Sequence, residues 1–355
     1  MKYDKALGKM ITAVIRNFLA AGATALTFFA TMDANPTLYI HDKFFVNEKK
    51  LCKFFEGKTM WITGASSGIG AALATQLSRH GANLILSSRP SEKLDSVAES
   101  CRQVSNNENK IHVIPFDMAS SHDEIESAVD SALKIVKNNN LDFVVLNAGI
   151  GQLKPATMTS HLVTEEIFKL NTLAPIALTR ILLQRGALQK DGGKHLVVTS
   201  SIGGKFALPL SASYAASKHA LHGYYDSLKA ECPWLRIDLI CPGTVDTHFH
   251  KKDDGKSTEK NVVASANNKP KEIRELKMSV DRCATLFISS LLMKKGGERW
   301  VAEQPTLLAL YIRQFFPSLF ERTLRTVGPL RVKAWEEGKN LYDPDTWKRF
   351  GRSDK

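Results

Sequence analysis

The feature that most constrains this chain is an alternation between short apolar runs and longer amphipathic stretches. From Lys58 onward, "TMWIT", "NLILS", "IHVIPF", "DFVVLN", "KHLVVTS" and "RIDLIC" are separated by helical patterns such as "GIGAALATQLSRHG" and "HDEIESAVDSALKIVKNN". The runs are too short for helices and are apolar at consecutive positions, so both faces of each strand call for burial. Such strands, joined by helices, form a parallel sheet covered on both sides. The expectation is an α/β fold: a doubly wound parallel sheet of Rossmann type in a single domain. It is flanked by an N-terminal apolar segment and a C-terminal helical extension. No internal repeat or long low-complexity tract breaks the pattern.

The N-terminus differs from the rest. Lys2, Lys5, Lys9 and Arg16 precede "NFLAAGATALTFFATM", which is uncharged from Asn17 to Met32 and closed by Asp33. Basic flank and length fit a membrane anchor. Small residues ending the run also fit a cleaved signal peptide. A mitochondrial transit peptide fits less well, because the segment is lysine-led and carries Asp4. Basic residues before the run predict a cytosolic N-terminus. A lone span would place the main domain across the membrane, whereas a hairpin or interfacial helix would keep it cytosolic.

The expected organisation is therefore an anchor or signal segment at 1–34, a connector with amphipathic pieces at 35–56, a catalytic domain at 57–303 and an extension at 304–355. After the sixth run, "THFHKKDDGKSTEKNVVASANNKPKEIRELK" is polar and charged, as a lid or binding loop would be. Past Trp300, "VAEQPTLLALYIRQFFPSLFERTLRTVG" carries more apolar and aromatic residues than a tail needs. It could complete the core, extend a pocket or contact a membrane interface.

Charge and cysteines narrow the function classes. The formal net charge is +12, yet no zinc-finger spacing or basic stripe interleaved with aromatics occurs. No nucleic-acid partner is expected; a membrane surface or an anionic cofactor is a better use of the charge. The five cysteines are scattered without a CxxC pair, as free thiols in a reducing compartment would be. No metal site is expected. His219 and His222 stand three apart without a carboxylate cluster and read as solvent- or partner-facing.

Several motifs carry chemistry. "TGASSGIG" spans Thr63–Gly70, directly after the first strand and opening a helix. Gly64 permits the tight turn. Gly68 and Gly70 let the main chain approach a pyrophosphate and let the helix pack on the strand, and Ser66, Ser67 and Ile69 complete the loop. The helix N-terminus offers free N–H groups and a positive dipole end. Its Gly-x-x-x-Gly-x-Gly spacing differs from the commoner GxGxxG.

At the end of the second strand, Ser87 and Ser88 precede Arg89, where an acidic residue would engage the ribose hydroxyls of NAD. A guanidinium with small hydroxyls suits the 2′-phosphate of NADP(H). Further along come "NAG" at Asn147, Ala148 and Gly149, Asn171 in "KLNTLAP", and Ser201 in "VVTSSIGGK". Tyr214 and Lys218 form Tyr-x-x-x-Lys, thirteen residues after Ser201, and "CPGTVDT" follows the sixth run.

In this order, from about Gly57 to Glu303, the motifs resemble the short-chain dehydrogenase/reductase family of the classical type. The resemblance implies a catalytic set of Asn171, Ser201, Tyr214 and Lys218, with Asn171 holding a water of a proton relay. It implies cofactor contacts from the glycine loop, Arg89, Asp117, Met118, Asn147, Ala148, Gly149, Tyr214, Lys218, Pro242, Gly243, Val245 and Thr247. The chemistry agrees with the residue types. A developing alkoxide needs a proton, and a phenol with pKa about 10 is a poor shuttle at neutral pH. Lys218, one helical turn from Tyr214, favours the phenolate.

The C-terminal segment resembles a membrane-associated branch of the family, mostly of the endoplasmic reticulum. That branch implies NADP(H) chemistry on lipophilic carbonyls such as steroids and retinoids, at an endoplasmic reticulum membrane. Dimers or tetramers are implied too, so a homodimer is an expectation. Two other readings stay open: a lipid-biosynthetic ketoreductase on a 3-keto sphingoid base or ketoacyl chain, and a nucleotide-binding scaffold without turnover.

Overall fold

The computed structural model describes residues 27, 29–105, 110–136, 141–188, 194–247 and 277–341. Most of the apolar run 17–32 and the interior of the polar insertion, 248–276, lie outside them. Among the described residues no helix is long and apolar enough to cross a membrane.

Six strands form where the apolar runs stand: β1 Thr59–Thr63, β2 Asn83–Ser87, β3 Ile111–Val113, β4 Phe143–Leu146, β5 His195–Thr199 and β6 Arg236–Pro242. A seventh, β7 Glu298–Val301, was not legible as a strand. It is an edge strand, half-buried along three of its four residues, and it begins with two charges. The order is β3-β2-β1-β4-β5-β6-β7 and every pairing is parallel. Strand order reverses between β1 and β4, and a doubly wound sheet opens a crevice at that point.

Alternate residues feed the two faces. Ile62, Leu84, Leu86, Val145, Val197 and Ile240 enter one core with α3 (Gly68–Arg79), α4 (Glu92–Val104) and α9 (Val280–Leu291). Trp61, Ile85, Val144, Leu196, Val198 and Leu239 enter the other with α5 (His122–Ile135), α7 (Ala174–Gln184) and α8 (Ala212–Glu231). Between α5 and α7 runs α6 (His161–Phe168), which passes through a π-helical turn, Lys169–Leu173, into α7.

Residues 35–56 form two helices, α1 (Pro36–Phe45) and α2 (Glu48–Phe55), docked on the first core through Leu38, Leu51 and Phe55. Arg282 of α9 pairs with Asp33 at 2.6 Å and Asp42 at 2.8 Å, fastening this segment. At the other end of the chain, α10 (Thr306–Phe315) and α11 (Pro317–Glu336) pack against residues at and just after the ends of β5 and β7. Their Leu307, Leu310 and Phe320 pack with Met32, Ile202 and Phe206. This segment thus packs into a hydrophobic cluster of its own with the segment that follows β5.

Candidate functional site

A cleft of about 830 Å³ opens at the carboxyl ends of the strands. Its first wall is the turn after β1. Gly64 has φ +66°, and a Cβ there would lie 2.8 Å from Ala148 Cα. Gly70 permits an even closer approach, since a Cβ would come 2.2 Å from Gly64 O. The turn is tied to β4 and β5 through Asn147. Its amide donates to Thr63 O (3.2 Å) and Gly64 O (3.3 Å), and its Oδ1 accepts from Thr199 Oγ1 (3.2 Å).

Ser66, Ser67, Gly68 and Ile69 face the cleft, as do Arg89, Asp117 and Met118. Ser66 and Ser88 share a hydrogen bond of 2.8 Å. Ser87, expected beside them, is buried and accepts from Trp61 Nε1 at 2.9 Å. Across the cleft, Pro242, Gly243, Val245 and Thr247 complete this end. Gly243 donates to Val301 O at 2.8 Å, so β7 carries the loop.

The middle of the cleft gathers Ser201, Tyr214 and Lys218. Ser201 ends the extended segment after β5. Its hydroxyl accepts from Gly203 N (2.9 Å) and donates to Pro242 O (3.4 Å), capping a short 3-10 turn, Ile202–Gly204. A Cβ on Gly203 would lie 3.3 Å from both Ser201 Oγ and Tyr214 Cε1, so serine and tyrosine flank that glycine. Tyr214 stands in the first turn of α8, and Lys218 one turn on places its Nζ 5.9 Å from the tyrosine ring centroid. The ammonium donates to Thr199 O at 2.9 Å and is 3 % exposed. Burial lowers its pKa to about 8.

Asn171 and Gly70 stand behind the wall. Asn171, in the π-helical turn, accepts from Ile150 N (2.9 Å) and donates to Ile150 O (2.9 Å) and Ser217 Oγ (3.1 Å). Its side chain therefore holds the Gly149–Ile150 segment against α8. Tyr225 is buried and bonded to Thr179 and Pro175, and Tyr224 packs edge-on against it, so neither belongs to the cleft.

His222 corrects the solvent- or partner-facing expectation. It is 8 % exposed and bonded inside the protein, because it lies one further turn along the Tyr214–Lys218 face. His219 is exposed, as expected. Away from the cleft, Glu48, Cys52 and His80 bring their ligand atoms within 4.8 Å; His80 Nδ1 pairs with Glu48 at 3.2 Å.

The far end of the cleft was not foreseen residue by residue. Ile150, Gln152, Leu153, Phe206, Leu208 and Leu341 line it. Leu210, with φ +76°, sends its side chain into a cluster with Ala334 and Leu341. The C-terminal extension thereby braces the loop that leads into α8. Only the apolar excess past Trp300 signalled this wall in advance.

The short chain dehydrogenase family model matches residues 58–257. Human dehydrogenase/reductase SDR family member 7 is 33% identical over 285 residues, covering 79% of this chain and 80% of its own length. The chain belongs to the short-chain dehydrogenase/reductase family. The mouse protein of the same name is 32% identical to this dehydrogenase/reductase, covering 83% of the chain and 84% of its own length. A "Dehydrogenase/reductase SDR family protein 7-like" from Drosophila melanogaster is 31% identical, over 74% and 78%.

Among solved structures, an alcohol dehydrogenase from Thermococcus sibiricus complexed with 5-hydroxy-NADP superposes with a TM-score of 0.58 at 25% identity, covering 70% of this chain and 97% of its own. A short-chain dehydrogenase/reductase from Burkholderia phymatum in complex with NAD gives 0.60 at 21%, over 82% and 98%, and shares the fold. Nicotinamide cofactors are thus bound by both structural relatives.

Proposed function

We propose that the cleft binds NADP(H) and interconverts a ketone or aldehyde with an alcohol on a lipophilic substrate. The observation that carries this reading is the convergence of Ser201, Tyr214 and buried Lys218 beside the glycine turn. The cofactor fits the residues present: Gly64 and Gly70 leave a main-chain cradle that any Cβ would obstruct. Arg89 and the hydrogen-bonded pair Ser66–Ser88 face the cleft just past β2, and a guanidinium with small hydroxyls supports a 2′-phosphate and hence NADP(H).

The cleft residues would hold NADPH, whose chemistry there would be to supply a hydride for the carbonyl carbon. Tyr214 gives its phenolic proton to the carbonyl oxygen, and Ser201 turns its hydroxyl proton from Pro242 O to that oxygen. Lys218 retains most of its charge at neutral pH even with its pKa near 8, and its field favours the phenolate that remains. Asn171 acts by position, through its hold on Ile150 and Ser217.

A lipophilic substrate is supported by Ile150, Leu153, Phe206, Leu208 and Leu341 at the far end of the cleft. An endoplasmic reticulum membrane location accords with the apolar N-terminal run. It also accords with the bend between α10 and α11, where Phe315 and Phe316 are 68 % and 62 % exposed. Phe29 and Met32, at the described end of that run, pack in the same cluster as Leu307 and Leu310.

Tyr214→Phe tests the mechanism. It is expected to keep NADPH binding, read by fluorescence titration, and to lose turnover by about 10²–10⁴-fold. Turnover near the wild-type rate would remove Tyr214 as the proton donor. Membrane-bound enzyme is expected to oxidise NADPH over steroids, retinals or long-chain ketones. Activity confined to small polar carbonyls would overturn the lipophilic reading.

A further inference from the structure

Behind Ser201 lies a buried polar chain. Ser200 Oγ and His222 Nε2 are 2.9 Å apart, and His222 Nδ1 is 3.2 Å from Glu298 Oε2 on β7. The same carboxylate oxygen pairs with Lys205 Nζ at 3.1 Å, and its Oε1 accepts from Trp300 Nε1. Burial pushes the Glu298 carboxyl up, but its contacts with His222, Trp300 and Lys205 outweigh it and hold the group at about 2. The carboxylate is therefore ionised at neutral pH and faces Nδ1 as a charge partner at 3.2 Å, out of hydrogen-bond alignment, and its charge favours the proton on Nδ1. That leaves Nε2 with a lone pair, and the Ser200 hydroxyl is the donor to it.

The geometry surrounds the turn that presents Ser201. Ser200 N donates to Ile240 O at 2.7 Å, fixing its main chain on β6. A Cβ on Gly204 would lie 2.7 Å from His222 Cδ2 and Nε2, so the turn lies flat on the imidazole. Lys205, just past the turn, is held by Glu298 from the other side. The remaining neighbour is Cys241 of β6, with Sγ 3.8 Å from Nε2. The chain Glu298–His222–Ser200 thus ends at a residue that itself lines the cleft, next to Ser201.

We propose that His222 is a positioning residue of the active site. Held by Glu298, it accepts the Ser200 proton and fixes the turn that aims the Ser201 hydroxyl at the substrate oxygen. The role rests on the reductase reading of the cleft, and it acts on the reacting geometry without touching the cofactor. A misplacement of about 1 Å costs an enzyme about 100-fold in rate, so losing this brace on the turn is expected to cost roughly 10–100-fold.

His222→Phe keeps an aromatic ring, somewhat larger than the imidazole, and removes both polar contacts. With NADPH and a ketosteroid or retinal, its kcat is expected to fall about 10–100-fold while the dissociation constant for NADPH, read by fluorescence, stays unchanged. Ser200→Ala is expected to fall comparably, and the double variant no further, because one chain is broken in each case. An unchanged kcat, or losses that multiply, would overturn the proposal. Should His222→Phe fail to fold, Glu298→Gln keeps the side-chain size and is expected to lower kcat with the NADPH affinity retained; an unchanged kcat there also overturns it.

The ring itself gives a readout independent of turnover. ¹⁵N-histidine NMR of the wild type at neutral pH is expected to show His222 as the Nδ1–H tautomer. An Nε2–H tautomer overturns the chain of donors. Wild-type enzyme that turns over no carbonyl would instead sink the reductase reading, while the tautomer still decides this one.

Discussion

The Gly64–Gly70 end of the cleft is walled largely by main chain, whereas the Leu341 end is walled by side chains from distant segments. At the first end a single strand–turn–helix unit does most of the shaping. Its tolerance is a few tenths of an ångström, and no side chain larger than hydrogen fits at Gly70. At the second end Gln152, Phe206 and Leu341 reach the same space from three parts of the chain. Loss of one methyl group there leaves the others in place. Under the proposed reading, the rigid end serves the cofactor whatever the substrate, and the adjustable end is the one that would select the carbonyl.

Gly70→Ala should break the first end most severely. The added Cβ meets Gly64 O at 2.2 Å and Asn147 Nδ2 at 2.6 Å. Relief of such overpacking costs on the order of 3 kcal/mol. NADPH binding, measured by fluorescence titration, is expected to weaken at least about a hundredfold. Binding close to wild type would mean that the turn is softer than the contrast requires.

Lys218 sits at the seam between the two ends and carries a stability cost. Its unfolded-state pKa is near 10.4, and burial lowers it to about 8 in the folded protein. Below pH 8 the lysine is charged in both states and the desolvation cost is fully present. Between about 8 and 10.4 the unfolded chain binds more protons, so stability rises with pH. Lys218→Met is expected to abolish turnover and to stabilise the cofactor-free protein at pH 7 by less than the roughly 3 kcal/mol that the shift represents, because Thr199 O loses its donor. The gain should shrink as pH rises through that window. Chemical denaturation at pH 7 and pH 10 checks both points, and equal gains at the two pH values would contradict the burial argument.

The same contrast explains what the sequence disclosed. Tyr214 and Lys218 are legible because a helix fixes their separation at one turn, and Gly64 and Gly70 because one local turn dictates both. The six buried strands stand out because burial on two faces leaves only apolar positions. β7 does not, because an edge strand that is half-exposed admits Glu298 and Arg299. Leu341 joins the cleft through tertiary packing with Leu210, and no local pattern encodes a contact across 131 residues. His222 did carry a signal, since the spacing that pairs Tyr214 with Lys218 continues to it. Without the turn at Gly204 in view, nothing showed that this part of the helix is covered.

Arg89→Glu probes whether the first end also sets cofactor choice. If the cleft takes NADP(H), replacing this cation with an anion removes charge-assisted bonds to the 2′-phosphate worth about 1.5–3 kcal/mol. The ratio of kcat/KM for NADPH over NADH is expected to fall at least about tenfold. An unaltered ratio would remove Arg89 from phosphate recognition and leave Ser66 and Ser88 to account for it.

The smallest effect is expected at the far end. Leu341→Ala removes apolar surface beside Leu210 and Leu153, within a wall that other side chains maintain. Such a loss in a hydrophobic pocket is worth about 1 kcal/mol for a bulky substrate at the lower end of the usual range. KM for a ketosteroid or retinal should rise up to about tenfold, while NADPH binding and the rate with a small carbonyl stay level. This split is what separates the two ends. If Leu341→Ala weakens NADPH as much as the carbonyl, the extension braces the whole cleft through Leu210 and the entry to α8, and the ends are not independent.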